Sequence, residues 1–335
     1  MPGNEPKRVN VAFIGCGVVG RRHAECFRGD RRVEVAVCSD PSREAAARLR
    51  NEFFPQAEIE TDASRAIAGH GARAAVICSP TTVHYEQCCQ AFEAGLDVLC
   101  EKPLADRREQ IVDLIGRAVQ TGRLLLVGYQ RRYKAPYVTA RREFTERAEW
   151  YGPLRQVHLY VCERWQQTIH GTWRDDPRVG AGYFGDAGSH QIDVVNFITG
   201  ERPTRVFALS ERRGSQVEIT TQAMSQLTSG AGLFAHFVGD ANHWREDIHF
   251  HCRDGDLLLR SEKIYRAKEN RVEEIFDLAP DGSPDAAFID AILDGKPIVS
   301  GPEIALPMYD WTEAVLRSNR ERAWVSVGDP SGGRK

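Results

Sequence analysis

Short apolar runs alternate with longer amphipathic segments along the first part of the chain. The runs are four to six residues long, which is typical of strands that are buried on both faces. They lie at 9–14, 33–38, 74–78, 97–100 and 124–128, and the helix-like segments lie at 42–53, 83–94 and 107–121. This alternation predicts a doubly wound parallel sheet in an α/β domain that spans 1–128.

The pattern changes beyond residue 128 to longer segments in which apolar and polar residues alternate. These segments are typical of antiparallel strands and lie at 156–162, 205–210, 216–226 and 233–238. Few helices separate them, so we expect an α+β domain at 129–335 with an open, mostly antiparallel sheet. One face of such a sheet is often covered by a second copy of the protein, which predicts a homodimer or a homotetramer.

Composition excludes several classes of protein. The chain has 335 residues, of which 42% are hydrophobic and 27% are charged, and its net charge is −3. The basic residues are scattered among acids, so we expect no nucleic-acid partner. No apolar run reaches the roughly 18 residues that a membrane helix needs, and the first residues lack the apolar segment of a secretory signal. We therefore expect a cytoplasmic protein without a membrane partner.

The cysteine and histidine spacings give no metal motif. Nine cysteines are present, an odd number without two C-x-x-C pairs, which argues against a disulfide framework and a structural zinc site. The spacing His249-x-His251 would put two imidazoles on one face of a strand. A position on the surface is a sufficient explanation for this pair, and we expect no metal.

A glycine-rich turn follows the first predicted strand and reads Gly15-Cys16-Gly17-Val18-Val19-Gly20. In a G-x-G-x-x-G between strand and helix, the first glycine permits a tight turn, the second lets the backbone approach a pyrophosphate, and the third allows close packing of helix on strand. Asp40 follows the second strand, 20 residues beyond Gly20, where the fingerprint has an acid for the ribose hydroxyls. Together these features predict a dinucleotide site.

Asp40 also bears on the choice of dinucleotide. A carboxylate repels the 2′-phosphate of NADP and accepts hydrogen bonds from the free hydroxyls of NAD, so we expect NAD. Ser39 and Arg43 lie close by in sequence and could hold a phosphate. NADP therefore remains the alternative.

Ligands of doubly wound sheets bind beyond the carboxyl ends of the strands. By this rule, three further loops contribute cofactor contacts in addition to the glycine turn and Asp40. The cofactor-binding candidates in these loops are Ser79, Pro80, Thr81, Glu101, Lys102 and Gln130. His84 begins the next helix, where it could either touch the cofactor or cap and pack.

A second informative stretch lies at 180–200. A glycine-rich segment is followed by a predicted helix that ends at Gly200. On one continuous helix Asp186, His190 and Asp193 fall at i, i+4 and i+7 and share one face. Asp186 could be the N-cap with His190 in the core, the three residues could bind a metal, or they could present an acid–base group to a substrate.

The motifs together resemble those of the Gfo/Idh/MocA oxidoreductases, the group of glucose-fructose oxidoreductase and inositol dehydrogenase. The segments that carry the resemblance are Gly15 to Gly20 with His23, Ser79 to His84, Glu101-Lys102-Pro103, Gly128 to Tyr133, and Asp186 to Asp193. The resemblance implies a Rossmann domain followed by an α/β domain whose open sheet mediates oligomers. It also implies reversible oxidation of a secondary alcohol on a sugar, a cyclitol or a nucleotide sugar.

The resemblance places the family's catalytic lysine, aspartate and histidine at Lys102, Asp186 and His190. Two features differ from the usual pattern, since the glycine triplet reads Gly180-Ala181-Gly182 and two aromatic residues, Tyr183 and Phe184, precede the helix. We expect these differences to reshape the sugar pocket.

Hydride transfer from a carbinol carbon requires a base for the hydroxyl proton and a group that stabilises the developing alkoxide. His190 suits the base because its unperturbed pKa is about 6.5, and Lys102 suits the stabilising cation. Further substrate-binding candidates are Arg131, Trp173, Arg174, Asp186 and Asp193. The alternatives are an NAD-dependent enzyme that cleaves a glycosidic bond through transient oxidation, and a nucleotide-binding sensor without turnover.

Overall fold

The computed structural model describes residues 8–177 and 182–328, apart from the side chain of Trp173. The chain divides into two compact units. The first comprises the residues up to Gln130 together with Gly282–Leu306, and the second comprises Arg131–Asp281 together with the residues from Pro307 onward. The sequence pattern predicts one boundary at 128, and it does not anticipate the return of Gly282–Leu306 to the first unit.

The strands of the described residues are, in chain order, β1 (Val9–Ile14), β2 (Val33–Ser39), β3 (Glu58–Glu60), β4 (Ala74–Ile77), β5 (Asp97–Cys100), β6 (Leu125–Val127), β7 (Leu154–Cys162), β8 (Pro203–Glu211), β9 (Thr220–Leu227), β10 (Gly232–Val238), β11 (Arg245–Cys252), β12 (Asp256–Arg260), β13 (Lys263–Lys268), β14 (Arg271–Glu274) and β15 (Val325–Ser326).

The helices are α1 (Val18–Phe27), α2 (Arg43–Phe53), α3 (Ala63–Ala68), α4 (Thr81–Glu93), α5 (Arg108–Thr121), α6 (Ala135–Glu146), α7 (Ala148–Tyr151), α8 (Trp165–Ile169), α9 (Gly182–Asp186), α10 (Ser189–Thr199), α11 (Pro284–Asp294) and α12 (Ala305–Glu321). Short 3-10 helices lie at Gln130–Tyr133, Trp173–Asp175 and Pro302–Ile304. No helix among the described residues has both the length and the apolar character that crossing a membrane requires.

The first unit contains a six-stranded sheet in the order β3-β2-β1-β4-β5-β6, and every neighbouring pair is parallel. This is the strand order of a Rossmann sheet, and the predicted fold class is confirmed. β1, β4 and β5 are buried along nearly their whole length, as their apolar runs predict. The prediction lacks β3 and α3, because β3 is a three-residue polar strand and α3 has only six residues.

The second unit contains a nine-stranded mixed sheet in the order β14-β13-β12-β11-β7-β10-β9-β8-β15. The pairs are antiparallel except for β7 and β10, which run parallel. Side chains of β7, β9, β10 and β11 are alternately buried and exposed. The expected open, mostly antiparallel sheet is therefore present, with one face in the core and the other exposed, and we name this exposed face the open face.

An aromatic cluster forms part of the core of the second unit. Trp311 of α12 is 1% exposed, and its ring centroid lies 6.1 Å from that of Phe184 and 6.1 Å from that of Phe237. Its indole Nε1 donates a hydrogen bond of 3.1 Å to Oγ of Ser225. A buried tryptophan keeps such a partner because an unpaired N–H in the core is costly.

Replacing the buried indole should destabilise the second unit. Trp311→Ala removes the ring from the cluster and leaves a cavity, so we expect the free energy of unfolding to fall by about 3–5 kcal/mol. Trp324→Ala is the matched control, since Trp324 is 47% exposed and its loss should cost less than about 1 kcal/mol. Urea denaturation followed by circular dichroism measures both values, and equal losses would contradict the assigned core.

Candidate functional site

The turn between β1 and α1 packs closely against neighbouring backbone. Gly15 has φ +92°, and a Cβ on it would lie 2.6 Å from both the carbonyl carbon of Cys78 and the nitrogen of Ser79. A Cβ on Gly20 would lie 2.2 Å from the carbonyl oxygen of Gly15. Beside Gly17, by contrast, no atom lies within 4 Å of the Cβ position. The first and third glycines therefore allow packing, and the second leaves an open backbone surface.

Asp40 holds this turn from the end of β2. Its Oδ2 accepts a 2.9 Å hydrogen bond from the backbone N–H of Cys16, and its Oδ1 accepts one of 2.9 Å from that of Ser42. A carboxylate has about four lone-pair positions, so capacity for further donors remains. The predicted ribose-binding acid thus also orients the glycine turn.

The N-terminus of α1 fits the pyrophosphate of a dinucleotide. Gly17 is the N-cap and makes no side-chain capping bond, and Val18 in the first turn is 74% exposed. Backbone N–H groups at a helix N-terminus, together with the helix dipole, attract anionic oxygens. A group placed beside Gly17 would meet these donors.

The other predicted cofactor contacts of the first unit lie at the same edge of the sheet, because parallel strands end on one side. Ser79 follows β4, and Lys102 follows β5. The remaining candidates are Val19 in the first turn of α1, Pro80 and Thr81 at the start of α4, and Gln130 in the 3-10 helix after β6. The structure thus brings together the loop residues that the sequence predicts for the first unit.

His84 is an exception among these candidates. It is 1% exposed, and its two ring nitrogens lie 2.8 Å from the carbonyl oxygen of Ser79 and 2.8 Å from that of Pro103. Burial lowers the pKa of this imidazole. The ring joins two loops at the sheet edge and has almost no surface left for a cofactor, so the structure supports the packing alternative.

Glu101 belongs to a buried cluster around His23. Nε2 of His23 lies 3.0 Å from Oε1 of Glu101, and Nδ1 lies 2.7 Å from Oδ1 of Asp285 in α11. Burial alone would lower the pKa of His23, but Cys78 and Asp285 outweigh it and raise the pKa well above 6.5. Burial would raise the pKa of Glu101, but His23 outweighs it and lowers that pKa. The cluster therefore favours an imidazolium between carboxylates.

The cluster leads directly to Lys102. Oε2 of Glu101 accepts a hydrogen bond of 3.0 Å from the backbone N–H of Lys102, whose peptide bond to Pro103 is cis. A Cβ on Gly128 would lie 2.6 Å from Oε1 of Glu101, so only glycine leaves room there. Glu101 is therefore a positioning residue that holds the loop carrying Lys102.

The structure of the second unit differs from the prediction of one continuous helix through Asp186, His190 and Asp193. Asp186 ends α9, and the other two residues lie on α10. At the break, a Cβ on Gly188 would lie 2.6 Å from the ring of Phe237 on β10, so close packing against a strand that is distant in sequence requires glycine here. The N-cap of α10 is Gly188, so Asp186 is not the cap. The single helix predicted through all three residues is therefore wrong, and Asp186 lies outside the helix that carries His190 and Asp193.

Asp186 pairs with Arg174, another predicted substrate contact. Nε of Arg174 lies 3.1 Å from Oδ2 of Asp186, and both side chains are partly exposed, at 37% and 27%. His190 is the second residue of α10 and is half-buried. The side chain of Trp173 lies outside the described part of the chain, as do Gly180 and Ala181.

Asp193 is buried instead of facing a substrate. It is 0% exposed, and Arg132 reaches it through Nε at 2.9 and 3.0 Å and through Nη2 at 2.7 Å. A planar guanidinium bound in this way compensates much of the cost of burying a carboxylate. This pair anchors α10 to the segment that follows Gln130, and the geometry does not favour a contact between Asp193 and a hydroxyl.

Arg131 is also held inside the second unit. It pairs with Glu246 of β11 and with the hydroxyl of Tyr137, and Nε2 of Gln191 lies 2.8 Å from the same carboxylate. The sequence analysis missed Glu246. A signal was present, since Glu246 occupies an inward position of an alternating strand, where an apolar residue is usual. Asp285 was also missed, and no local signal exists for it.

The chain matches two models of one protein family. The first, described as "Oxidoreductase family, NAD-binding Rossmann fold", covers residues 9–129, and the second, described as "GFO/IDH/MocA C-terminal domain", covers residues 145–257.

Curated relatives share less than a third of their aligned residues with this chain. D-glucoside 3-dehydrogenase of Escherichia coli (strain K12) is 28% identical over 57% of this chain and 54% of its own. Inositol 2-dehydrogenase 1 of Saccharopolyspora erythraea is 28% identical over 62% and 59%. The chain thus spans somewhat over half the length of these two relatives.

One relative aligns over a longer region. The 4-carboxy-2-hydroxymuconate-6-semialdehyde dehydrogenase of Sphingobium sp. (strain NBRC 103272 / SYK-6) is 29% identical over 86% of this chain and 91% of its own.

Among solved structures, GenD2 from gentamicin A biosynthesis, in complex with NAD, superposes with a TM-score of 0.84 at 21% identity, over 98% of this chain and 99% of its own. Similarity at this identity demonstrates a shared fold.

His23 predicts a pH dependence of stability. Because its pKa is raised in the folded state, its stabilising contribution is complete below the unfolded value of about 6.5 and is lost as the pH rises through the folded value. We expect His23→Gln to lower the unfolding midpoint most at mildly acidic pH, with the difference from wild type shrinking as the solution becomes alkaline. Differential scanning fluorimetry over this pH range measures the effect.

His243→Gln is the matched control, since His243 is exposed and should change the midpoint little at any pH. A difference between wild type and His23→Gln that does not vary with pH would contradict an imidazolium at this position.

Proposed function

Since the chain belongs to the Gfo/Idh/MocA oxidoreductase family, we propose that it is an NAD(P)-dependent dehydrogenase for a secondary alcohol of a sugar, a cyclitol or a nucleotide sugar. The observation that carries this proposal is the edge of the first sheet, where the open glycine turn follows β1, Asp40 follows β2 and Lys102 follows β5. One edge thus combines a phosphate-binding turn, a ribose-binding acid and a cation suited to an alkoxide.

NAD is the cofactor that we propose for this edge. When bound, its nicotinamide accepts or returns the hydride. The carboxylate of Asp40 would meet the ribose hydroxyls, and its negative charge would disfavour the 2′-phosphate of NADP. The backbone around Gly17 would bind the pyrophosphate.

Lys102 would stabilise negative charge on the substrate oxygen. An ammonium group placed where alkoxide character develops lowers the barrier only if it is held in position before the reaction. The hydrogen bond that the backbone N–H of Lys102 donates to Glu101, whose carboxylate also contacts His23, supplies that support from inside the fold. We propose that Nζ of Lys102 contacts the reacting oxygen in the bound substrate.

His190 would take the hydroxyl proton. It lies in the first turn of α10, next to Gln191, whose amide is held by the buried Glu246. Asp186, paired with Arg174, would bind a neighbouring hydroxyl or orient the substrate. An imidazole is the side chain whose unperturbed pKa lies closest to neutral pH, so it can accept and return a proton in a reversible reaction.

The relatives support a polyol substrate. The names of two of them specify a glucoside and an inositol, which share a ring with several secondary hydroxyls. The relative that aligns over most of this chain has a name that specifies a semialdehyde. An assay panel should therefore include sugars, inositols, nucleotide sugars and semialdehydes.

We also propose that the chain forms a homodimer or a homotetramer through the open face. Apolar side chains on this face include Tyr160, Leu209 and Met224, which are 38%, 42% and 40% exposed. They lie on β7, β8 and β9, close together in the sheet order. Exposed apolar side chains of this kind favour a second protein surface over water.

Substitution of the two catalytic groups tests the proposed reaction. Lys102→Ala and His190→Ala should each lower kcat by about 100-fold or more, because each removes a positioned electrostatic or acid–base group. If both act on one step, the double variant should lose far less than the product of the two factors. Absorbance of the reduced cofactor measures turnover with NAD and NADP, and fluorescence titration with NADH measures cofactor affinity, which should change little.

Lys134→Ala and His243→Ala are the matched controls, since both side chains are exposed, and both should retain wild-type turnover. Release of free sugar without reduced cofactor would instead indicate the glycoside-cleaving alternative. Cofactor binding without any turnover across the panel would indicate a sensor. Near-normal kcat in either alanine variant would exclude that residue as a catalytic group.

Met224→Asp tests the proposed assembly. A charge in the centre of an apolar interface is costly to bury, so we expect the variant to have a lower mass than wild type at the same concentration. Light scattering coupled to gel filtration measures the mass. Val119→Asp is the control, because Val119 is a 78% exposed apolar residue of the first unit. A wild-type chain that stays monomeric at every concentration would rule out the assembly.

A further inference from the structure

A cluster of two imidazoles and a carboxylate lies on the open face, outside the residues to which a role in hydride transfer is assigned. His249 and His251 are two positions apart on β11, so both side chains point to the same face. Asp256 begins β12 and is paired directly with His251 in the antiparallel register. We name these three residues the His-His-Asp cluster.

The cluster has the dimensions of a metal site. Nε2 of His249 lies 3.1 Å from Oδ2 of Asp256, and Nδ1 of His251 lies 3.1 Å from Oδ1 of the same carboxylate. Around a tetrahedral zinc ion with bonds of about 2.0–2.1 Å, neighbouring ligand atoms are about 3.3 Å apart. The potential ligand atoms of the three residues all lie within 4.8 Å of one another, so small side-chain rotations would complete the set.

The backbone orients the three side chains in advance. Pairing of β11 with β12 fixes which residues lie side by side, and the backbone N–H of Cys252 donates a 3.3 Å hydrogen bond to Oδ1 of Asp256. The imidazole rings stack with centroids 4.2 Å apart and planes at 24°. Because the side chains are already held in place, metal binding costs less of their conformational entropy.

The electrostatic surroundings also suit a cation. The residues paired with the cluster on the neighbouring strands are Gln156 opposite His251, His158 opposite His249, and Ala267 opposite Asp256. None of these three has a permanently positive side chain. The three ligand side chains are 33%, 46% and 22% exposed in a single chain, so an ion can reach them there. The cluster lies on β11 and β12, whereas the apolar residues named for the proposed assembly lie on β7, β8 and β9.

We propose that His249, His251 and Asp256 bind a divalent transition-metal ion of the zinc class, with water in the remaining coordination position. Two imidazole nitrogens and one carboxylate oxygen suit Zn²⁺, Co²⁺, Ni²⁺ or Cu²⁺, whereas Mg²⁺ and Ca²⁺ prefer sets made only of oxygen. All three ligands come from one chain, so the site needs neither the cofactor nor a second copy.

Zinc binding to the purified full chain, freed of any histidine tag, tests the site. Isothermal titration with zinc chloride near neutral pH should show about one equivalent per chain at this site. His249→Ala, His251→Ala and Asp256→Ala should each weaken that binding by at least about 10-fold, since even outer partners of metal ligands contribute that much. Binding should also weaken in mildly acidic solution, where protons compete for the imidazoles.

His236→Ala is the matched control, because His236 is an exposed histidine on the same face but lies on β10, two strands away from β11 in the sheet order. It should leave the affinity unchanged. Absorption of the Co²⁺-loaded wild type should show the intense visible bands of tetrahedral coordination, and these bands should disappear in the ligand variants. Circular dichroism checks that each variant is folded.

Two results would overturn the proposal. One is zinc affinity that is equal in wild type and in the folded His249→Ala and His251→Ala variants. The other is a Co²⁺ spectrum of wild type that matches the hydrated ion. In either case the two imidazoles would simply donate hydrogen bonds to Asp256. Turnover enters neither measurement, so failure here is distinguishable from failure of the proposed dehydrogenase.

Discussion

The buried imidazole of His23 is the interaction on which the arrangement of the first unit depends. A charged group that leaves water costs several kcal/mol unless partners at hydrogen-bond distance replace the solvent. Here the partners are Glu101 and Asp285, which are 78 and 262 residues away along the chain. The helix α11 must therefore return to the parallel sheet after eight of the nine strands of the second sheet, β7 to β14, which accounts for a first unit that is discontinuous in sequence.

The same interaction determines where Lys102 can lie. Glu101 uses one carboxylate oxygen for His23 and the other for the backbone of Lys102, so the loop after β5 is held from the interior. The second unit uses an equivalent device, because the buried Glu246 holds both Arg131 and Gln191. In each unit a buried carboxylate fixes backbone or amide groups next to a proposed catalytic residue. Those residues themselves, Lys102 and His190, are only partly buried.

The sequence predicts those parts of the fold and site that depend on near neighbours. The glycine turn needs only residues that are close in sequence, and Asp40 lies at the end of the next strand, so both were predictable. The break between α9 and α10 was not predictable. It lies where Gly188 packs against the ring of Phe237, and Phe237 lies on a strand far along the chain. Asp193 illustrates the same limit, since helical spacing places it near His190 but does not indicate the bidentate pair with Arg132.

On the open face, the register between two paired strands determines which side chains lie together. Alternation predicts that His249 and His251 share one face, and it leaves the neighbouring strand undetermined. Asp256 lies only five residues beyond His251, on the other arm of a hairpin. A shift of one residue in that hairpin would turn Asp256 into the core and leave the imidazoles without a carboxylate. The pairing that extends from Asp247 with Arg260 to His251 with Asp256 prevents this shift. The His-His-Asp cluster is therefore a property of strand register, and the spacing of the histidines in the sequence supplies only half of it.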